Sequence, residues 1–523
     1  MAESLKSLKN KEYINRRTVK GMEHSLREYI EFLDEKNLVI DYHLEEGLPE
    51  IKIKNISYNS KDDMSSGIFI CKGAHFKQEY LKEALDRGAV CYISESKYDV
   101  GLKHSFIIVK DIRESMAVLA LKFYDKVWEK LELIGITGTK GKSTTTFFVK
   151  RILDEFAKAQ RGKESAVLSS IENYDGIIRE ESHLTTPETL ELHRHFYNAV
   201  NSGIKFLTME VSSQALKYKR TMGITFDVGA FLNIGIDHIS DVEHEDFEDY
   251  FESKLKLIGQ SKTVCINRDI EEFDKVLELS KGAEKTVTFG FEKDADIMAY
   301  NVVYSDTGIT FMASSDTFDE EFEIGIPGYF NVENALCAIA VCSSLNIPLE
   351  YIRKGLAEAK VSGRMEPFSG KNSLGKEVNV LVDYAHNKLS FEALFESVKK
   401  QYGNKKITII FGCPGKKAQG RRSELGSIAG IYADRVILTE EDPGEEDVYE
   451  ICSEIAKYVG KKALCNIQTD RKKAIIDAIE SAGNGDVILI TGKGRETRQK
   501  RGMEYVSCQS DVDIVIEFFG RSN

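Results

Sequence analysis

The stretch GITGTKGKSTTTFFVKRIL, Gly135–Leu153, gathers the residue types that can hold a nucleoside triphosphate. Glycines let backbone N–H groups close around phosphate oxygens. A lysine carries positive charge to the outer phosphates, and a serine or threonine hydroxyl can ligate magnesium. Here those residues are Gly138, Thr139, Lys140, Gly141, Lys142, Ser143 and Thr144. The common form of such a loop, G-x-x-x-x-G-K-[ST], asks for glycine at position 136, which is Ile136. The flanks nevertheless supply what the mechanism needs. Leu131–Thr137 is a short apolar run of strand character, and after Lys142 the residues Phe147, Phe148, Ile152 and Phe156 recur at helical spacing. Strand, glycine loop and helix in that order aim helix-start N–H groups at an anion. The competing reading is a tight glycine turn with no ligand, and the Gly-Lys-Ser-Thr tetrad at the helix start favours phosphate.

The elements that position such a loop belong to a large chain. Its 523 residues exceed one core and suggest about three domains. With 42% hydrophobic and 30% charged residues it has the composition of an ordinary globular protein. A net charge of −13 argues against nucleic acid or an anionic membrane as the main partner, because both require basic surfaces. Nine dispersed cysteines without a C-x-x-C pair read as reduced thiols, neither a zinc site nor a disulfide frame. The polar start and the lack of any long uncharged apolar run point to a cytoplasmic protein. Strand-like runs alternate with helical stretches at Lys205–Val211, Val228–Ile234, Thr263–Asn267, Asn379–Tyr384, Lys406–Cys413, Arg435–Thr439 and Asp486–Thr491, which predicts βαβ units and mostly parallel sheets. Breaks before Leu131 and near Gly363 divide the chain into residues 1–130, 131–362 and 363–523.

Further motifs follow the loop: TTP at Thr185–Pro187, MEVSSQAL at Met209–Leu216, GYFNVENALCA at Gly328–Ala338, GRME at Gly363–Glu366, VDYAH at Val382–His386, FGC at Phe411–Cys413 and GKGRE at Gly492–Glu496. In content and order this series resembles the Mur ligase family, whose loop is written G-T-x-G-K-[ST]-[ST]. The first glycine therefore belongs at Gly138. The stretch ISYNSKDDMSSGIFICKG, Ile56–Gly73, resembles the family's UDP-binding strand and loop. The likeness spans nearly the whole chain. It implies an α/β protein of three-domain Mur ligase architecture: an N-terminal UDP-binding domain, a central P-loop ATPase domain and a C-terminal Rossmann-like domain for the amino acid.

The activity so implied is ATP-dependent amide formation through an acyl phosphate. The M-E-V-S-S form points to members that extend UDP-N-acetylmuramoyl-L-alanyl-D-glutamate by a third residue. The partners are that UDP-dipeptide, ATP and a free amino acid, with Mg2+ as cofactor and a monomer expected. Carried over by position, Lys142, Ser143, Glu210, His238 and Lys254 are the catalytic and metal-associated residues. The resemblance implies that Lys254 reacts with carbon dioxide to form a carbamate, although seen alone it is one helix-surface lysine among many. Thr185, Thr186, Ser212 and Arg220, with Ser60 of the first domain, match the contacts to the UDP precursor. Asn331 and Asn334 match the adenine contacts, and Arg364 and Asp383 those to phosphate and ribose.

Lys417, Gly492 and Glu496 match contacts to the incoming amino acid, and Glu441-Asp442-Pro443-Gly444 is the discriminating tetrapeptide. Enzymes of the family that add meso-diaminopimelate show D-N-P-R, whose arginine holds the second carboxylate. Gly444 removes that partner, and the surrounding TEEDPGEED is acidic, so a side-chain ammonium is favoured over a second carboxylate. L-Lysine is the expected acceptor. A solvated acidic loop is the plainer reading of that run. Another amide ligase of the superfamily, such as a folylpolyglutamate synthetase or an enzyme adding another residue, is the nearer alternative. A nucleotide-binding switch without ligase chemistry is the more distant one.

Overall fold

The computed structural model describes residues 24–73, 76–100, 104–235, 243–305, 308–416 and 419–521. Three sheets follow one another along the chain. The first has five strands between Val39 and Val109, parallel apart from the edge strand Val39–His43. The second has eleven strands between Glu132 and Ile324, and the third has six between Glu366 and Thr491. The strand-like runs read from the sequence all lie in the second and third sheets, within two or three residues of the observed ends.

The centre of the second sheet positions the site. Strand β1 (Glu132–Thr137) leads through Gly138–Gly141 into helix α1 (Lys142–Ala159). Strands β2 (Phe206–Glu210) and β3 (Phe226–Phe231) flank β1 in parallel, and Glu210 lies beside Ile136 while Phe231 lies beside Thr137. The carboxyl ends of all three strands are therefore level, the place where open α/β sheets bind ligands. Gly135 allows this closeness, because a Cβ there would stand 2.9 Å from the Phe226 ring.

Behind the sheet, α1 buries Phe148, Val149, Ile152 and Leu153. Helix Leu349–Glu358 crosses it at Gly355, where a Cβ would come within 2.5 Å of the Ile152 backbone. After β3 come helix α2 (Phe247–Leu255), which carries Lys254, and the apolar helix α3 (Phe330–Ser344). In the third sheet β4 (Glu377–Asp383) pairs in parallel with β5 (Val487–Thr491). A two-stranded ribbon, β6 (Arg498–Arg501) and β7 (Glu504–Ser507), follows β5. One apolar cluster runs from Ile134 and Ile136 through α3 to Leu381, Ile409 and Leu489, joining the second and third sheets.

The sheets are less uniformly parallel than the alternation suggests. Ile297–Tyr304, Ile309–Ser314 and Asp319–Ile324 form an antiparallel meander at one edge of the second sheet, and short strands between Glu172 and Glu181 form another at the opposite edge. All nine cysteines are free thiols and seven are buried. Among the described residues no helix is long and apolar enough to cross a membrane.

Candidate nucleotide and ligation site

The loop is braced before any ligand arrives. Gly141 caps α1 at φ 82°, a left-handed conformation suited to glycine, and a Cβ there would lie 2.2 Å from Asn334 Oδ1. Asn233 clamps the loop from the side: its carbonyl accepts from Thr139 N at 3.0 Å and its Oδ1 from Lys140 N at 2.8 Å. Tyr250 Oη donates to the Thr139 hydroxyl at 3.0 Å. The Lys142 ammonium folds over the loop and donates to the carbonyls of Gly138 at 2.8 Å and Thr139 at 3.2 Å. From α2, buried Lys254 reaches the same Gly138 carbonyl at 2.8 Å. Two lysines from different elements thus converge on one oxygen of the loop.

Oxygen donors collect on the other side. Ser143 Oγ lies 3.0 Å from Ser170 Oγ, and Ser170 donates from its N and Oγ to Glu210 Oε1 at 2.9 and 3.1 Å. Glu210 itself is buried at the end of β2. The third sheet closes over this point: Arg364 Nη2 is 3.5 Å from Ser143 Oγ, and its guanidinium stands 4.6 Å from the Tyr384 ring centre. Asp383 fixes that corner by accepting from Met365 N and Ala385 N. Beside it His386 is pushed down to about 3 by burial, with the charges of Lys140, Arg421 and Arg364 acting in the same direction.

Asn331 and Asn334 have their amides engaged within the protein. Asn331 Nδ2 donates to Pro327 O, Asn334 Nδ2 donates to Asn331 Oδ1, and Asn334 Oδ1 accepts from Thr145. In this arrangement they support the floor under Gly141.

On the precursor side Thr186 Oγ1 donates to Glu210 O at 2.9 Å and accepts from Ser212 N at 3.0 Å. Ser212 Oγ caps the helix that follows it. Thr185 precedes this cluster in the chain. Arg220 is buried, donates to Thr186 O at 3.0 Å and pairs with Glu188 at 2.5 Å, and Glu188 also holds Lys72 of the first sheet's unit. Ser60 lies further out in that unit and donates to Glu83 at 2.6 Å.

The tetrapeptide Glu441–Gly444 sits at the end of the third sheet beside Gly492, whose Cβ would meet Glu441 Oε2 at 2.9 Å. Burial pushes the Glu441 carboxyl up to about 7; Asp442 and Glu496 add to the rise, and Arg471 and Lys493 oppose it. Lys493 is buried and bridges Asp442 Oδ1 at 2.9 Å and Glu496 Oε2 at 2.6 Å. Tyr384 Oη donates to the other Glu496 oxygen at 2.7 Å. This corrects a simple count of acidic residues. Asp442 and Glu496 share the Lys493 cation, Glu445 pairs with Lys416 and Glu446 with Arg422, so Glu441 is the carboxylate of this group best placed for a substrate ammonium.

Two family models match the chain, the Mur ligase middle domain over residues 136–342 and the Mur ligase glutamate ligase domain over residues 363–494. It is 38% identical over 471 residues to the UDP-N-acetylmuramoyl-L-alanyl-D-glutamate–L-lysine ligase of Streptococcus thermophilus, covering 90% of this chain and 93% of that protein. The chain belongs to the Mur ligase family. The enzyme of the same name from Enterococcus faecalis is 36% identical over 487 residues, covering 92% of this chain and 94% of that protein. The solved UDP-N-acetylmuramoyl-L-alanyl-D-glutamate–2,6-diaminopimelate ligase superposes with a TM-score of 0.65 at 24% identity, over 96% of this chain and all of that one, which extends the shared fold to nearly the full length.

In this Mur ligase the loop residues, Glu210, Lys254 and Arg364 come together around the carboxyl ends of β1 and β2, and Asp383 holds the backbone next to Arg364. Thr186, Ser212 and Arg220 lie on the adjoining side, and Glu441, Asp442, Gly492 and Glu496 on the third sheet. His238 and Lys417 lie outside the described residues. Sequence reading missed Asn233, Ser170, Tyr250, Tyr384 and Lys493. Asn233 precedes His238 in the same segment and Lys493 stands inside GKGRE, so both had a signal, while nothing near Ser170 marks it.

Proposed function

We propose that this Mur ligase joins L-lysine to the D-glutamate of UDP-N-acetylmuramoyl-L-alanyl-D-glutamate at the expense of ATP, on a three-domain plan divided at residues 130 and 362. The observation that carries the reading is Gly444, where a second carboxylate would have no arginine, together with the carboxylate of Glu441 in the same tetrapeptide. The names of relatives at 36–38% identity agree.

In the first step an oxygen of the D-glutamate side-chain carboxylate attacks the γ-phosphorus, and ADP leaves. The α-amine of lysine then attacks the acyl carbon, loses a proton and expels phosphate. Little of this requires covalent help from the protein, so positioning and charge carry the rate. Lys142 would leave the loop carbonyls for the γ-phosphate, and the N–H groups at the start of α1 would face the phosphates. Thr185, Thr186, Ser212 and Arg220 would hold the precursor, with Ser60 at its uridine end. Arg364 and Asp383 would hold phosphate and ribose, and Asn331 and Asn334 would frame the adenine side. Lys417 would meet the amino acid's carboxylate.

The donor set fits magnesium, because Ser143 and Glu210 offer hard oxygens held within reach of one another through Ser170. Among the described residues, which do not include His238, no group of three His, Cys, Asp or Glu side chains could hold a metal. Bound there by Ser143, Glu210, His238 and a carbamate on Lys254, magnesium would neutralise charge developing on the phosphates. A carbamate nitrogen keeps one N–H, so the bond from Lys254 to Gly138 O could persist.

The test is ligation by the purified protein with ATP, the UDP-dipeptide and L-lysine, meso-diaminopimelate or L-ornithine. Phosphate release should require both the dipeptide and an amino acid. L-Lysine should exceed meso-diaminopimelate in kcat/KM by roughly 100-fold, since an unpaired carboxylate would be desolvated beside acids. A preference for meso-diaminopimelate would overturn the assignment.

A further inference from the structure

The ribbon β6–β7 lies beyond the matched family segment, and it is bonded to the acceptor tetrapeptide along its length. Gly444 N donates to Lys500 O at 3.2 Å and Gly502 N donates to Gly444 O at 2.7 Å, so the end of the tetrapeptide joins β6 through a single parallel bridge between Gly444 and Arg501. Both glycines are left-handed, at φ 59° and 60°. Lys500 N donates to Asp442 Oδ1 at 3.1 Å, and Lys493 ties the same carboxylate to Arg498 O at 2.7 Å. The innermost bond comes from Gln499. Its side chain is 6% exposed, and its Nε2 donates to Glu441 O at 2.6 Å.

These bonds fix more than a loop. The main chain of Glu441 is held by Gln499, its carboxylate rests against Gly492, and Glu496 is held by Lys493 and Tyr384. The ribbon thus holds Glu441 directly through Gln499 and Glu496 indirectly, because Lys493, which grips Glu496, also donates to Arg498 O, and so it sets the two carboxylates of the acceptor site relative to each other. How far an ammonium must reach from the reacting α-amine is set by that placement. A carbonyl released from Gln499 would leave the Glu441 main chain free to shift, and with it the reach the site demands of an ammonium.

Resting on the reading of Glu441 and Glu496 as the acceptor site, we propose that the ribbon determines acceptor chain length and that Gln499 is its positioning residue. Gln499 does not touch the amino acid; it acts through Glu441. The discriminating variant is Gln499→Met, which keeps the length and loses the donor. The expected result is a fall of about fivefold in kcat/KM for L-lysine, carried by KM, the size of one lost hydrogen bond. The ratio of kcat/KM for L-lysine over L-ornithine should fall with it, while KM for ATP and for the UDP-dipeptide stays unchanged. Gln499→Asn, with the amide one methylene shorter, should lie between, and it carries the comparison if the Met variant does not fold.

An unchanged lysine-to-ornithine ratio in a folded variant overturns the proposal. So does an equal loss for both amino acids with a matching rise in KM for the dipeptide, the mark of general disruption. If the unaltered enzyme uses neither amino acid, the acceptor reading itself falls, a result separate from either.

Discussion

Lys254 is the residue whose proposed chemistry would change the charge of the site most. A long cationic side chain is buried on α2, and its ammonium is directed at a loop carbonyl that Lys142 also engages. Converting the Lys254 ammonium to an anionic carbamate would reverse the charge at this point of the loop and add an oxygen anion for magnesium. Lys254→Ala should abolish ligation with no loss of fold by circular dichroism, bicarbonate should raise the activity of the unaltered enzyme, and short carboxylic acids should partly rescue the variant. Near-normal turnover by Lys254→Ala would remove the lysine from the mechanism. Glu441 gives a prediction in pH. Its carboxyl sits at about 7 against an ordinary 4.5, so burial disfavours its charged form, and it is largely neutral below pH 7. On the proposed reading a lysine ammonium is held by the ionised form only. Affinity for lysine should therefore fall as pH drops through 7, and binding near pH 7 should release a proton. Titration calorimetry in two buffers of different ionisation enthalpy measures this, and proton uptake would contradict it.

The loop between β1 and α1 shows what a motif fixes locally and what it leaves to distant elements. Glycine, lysine and serine are legible because phosphate chemistry demands them within a few residues. The parallel strands around β1 are legible because strands buried on both faces are written as apolar runs. The edge meander is not: Ile309–Ser314 buries only alternate residues, and its partners are assigned by pairing with neighbouring strands. Nor does any local pattern give the floor under Gly141, where α3 brings Asn334 from nearly two hundred residues away. The asparagines legible as ligand contacts are here engaged with the protein, and only the fold reveals that second use. Gly141→Ala should consequently fail twice. The left-handed backbone costs roughly 1–2 kcal/mol with a Cβ, and the methyl meets Asn334 at 2.2 Å. The variant should melt lower and bind ATP at least about tenfold more weakly, the scale of one such penalty. Adding Asn334→Ala should relieve the contact but not the backbone strain, recovering part of the stability. Unimpaired ATP binding by Gly141→Ala would show that the loop adapts in a way this structure does not suggest.

Across the whole molecule, the proposed reaction needs the acceptor on the third sheet and the phosphates on the second to meet, and polar contacts among the described residues join the two. Arg364 reaches Ser143 near the loop. At the ribbon, Thr497 Oγ1 donates to Glu181 at 3.4 Å and Arg498 Nη2 donates to His183 Nδ1 at 2.9 Å, with Glu181 3.9 Å from the same guanidinium. Glu181 ends an edge strand of the second sheet whose hairpin leads back to Ser170 and Glu210. The ribbon thus touches both the acceptor tetrapeptide and the edge of the nucleotide unit, so loosening its outer end should weaken the contact between the units without altering either site. Arg498 and Glu181 are each nearly half exposed, and such a pair contributes only about 0.2–1 kcal/mol. Arg498→Glu should therefore lower kcat by up to about fivefold, through like-charge repulsion that weakens as salt screens it. KM for ATP should hardly move, since no phosphate contact is lost. Combining Arg498→Glu with Glu181→Arg restores an opposite-charge pair and should recover most of the loss at low salt. Steady-state rates at two ionic strengths, with small-angle scattering to follow compaction, separate the cases. A loss in Arg498→Glu that ignores both salt and the compensating change would place the effect within the ribbon instead of between the units.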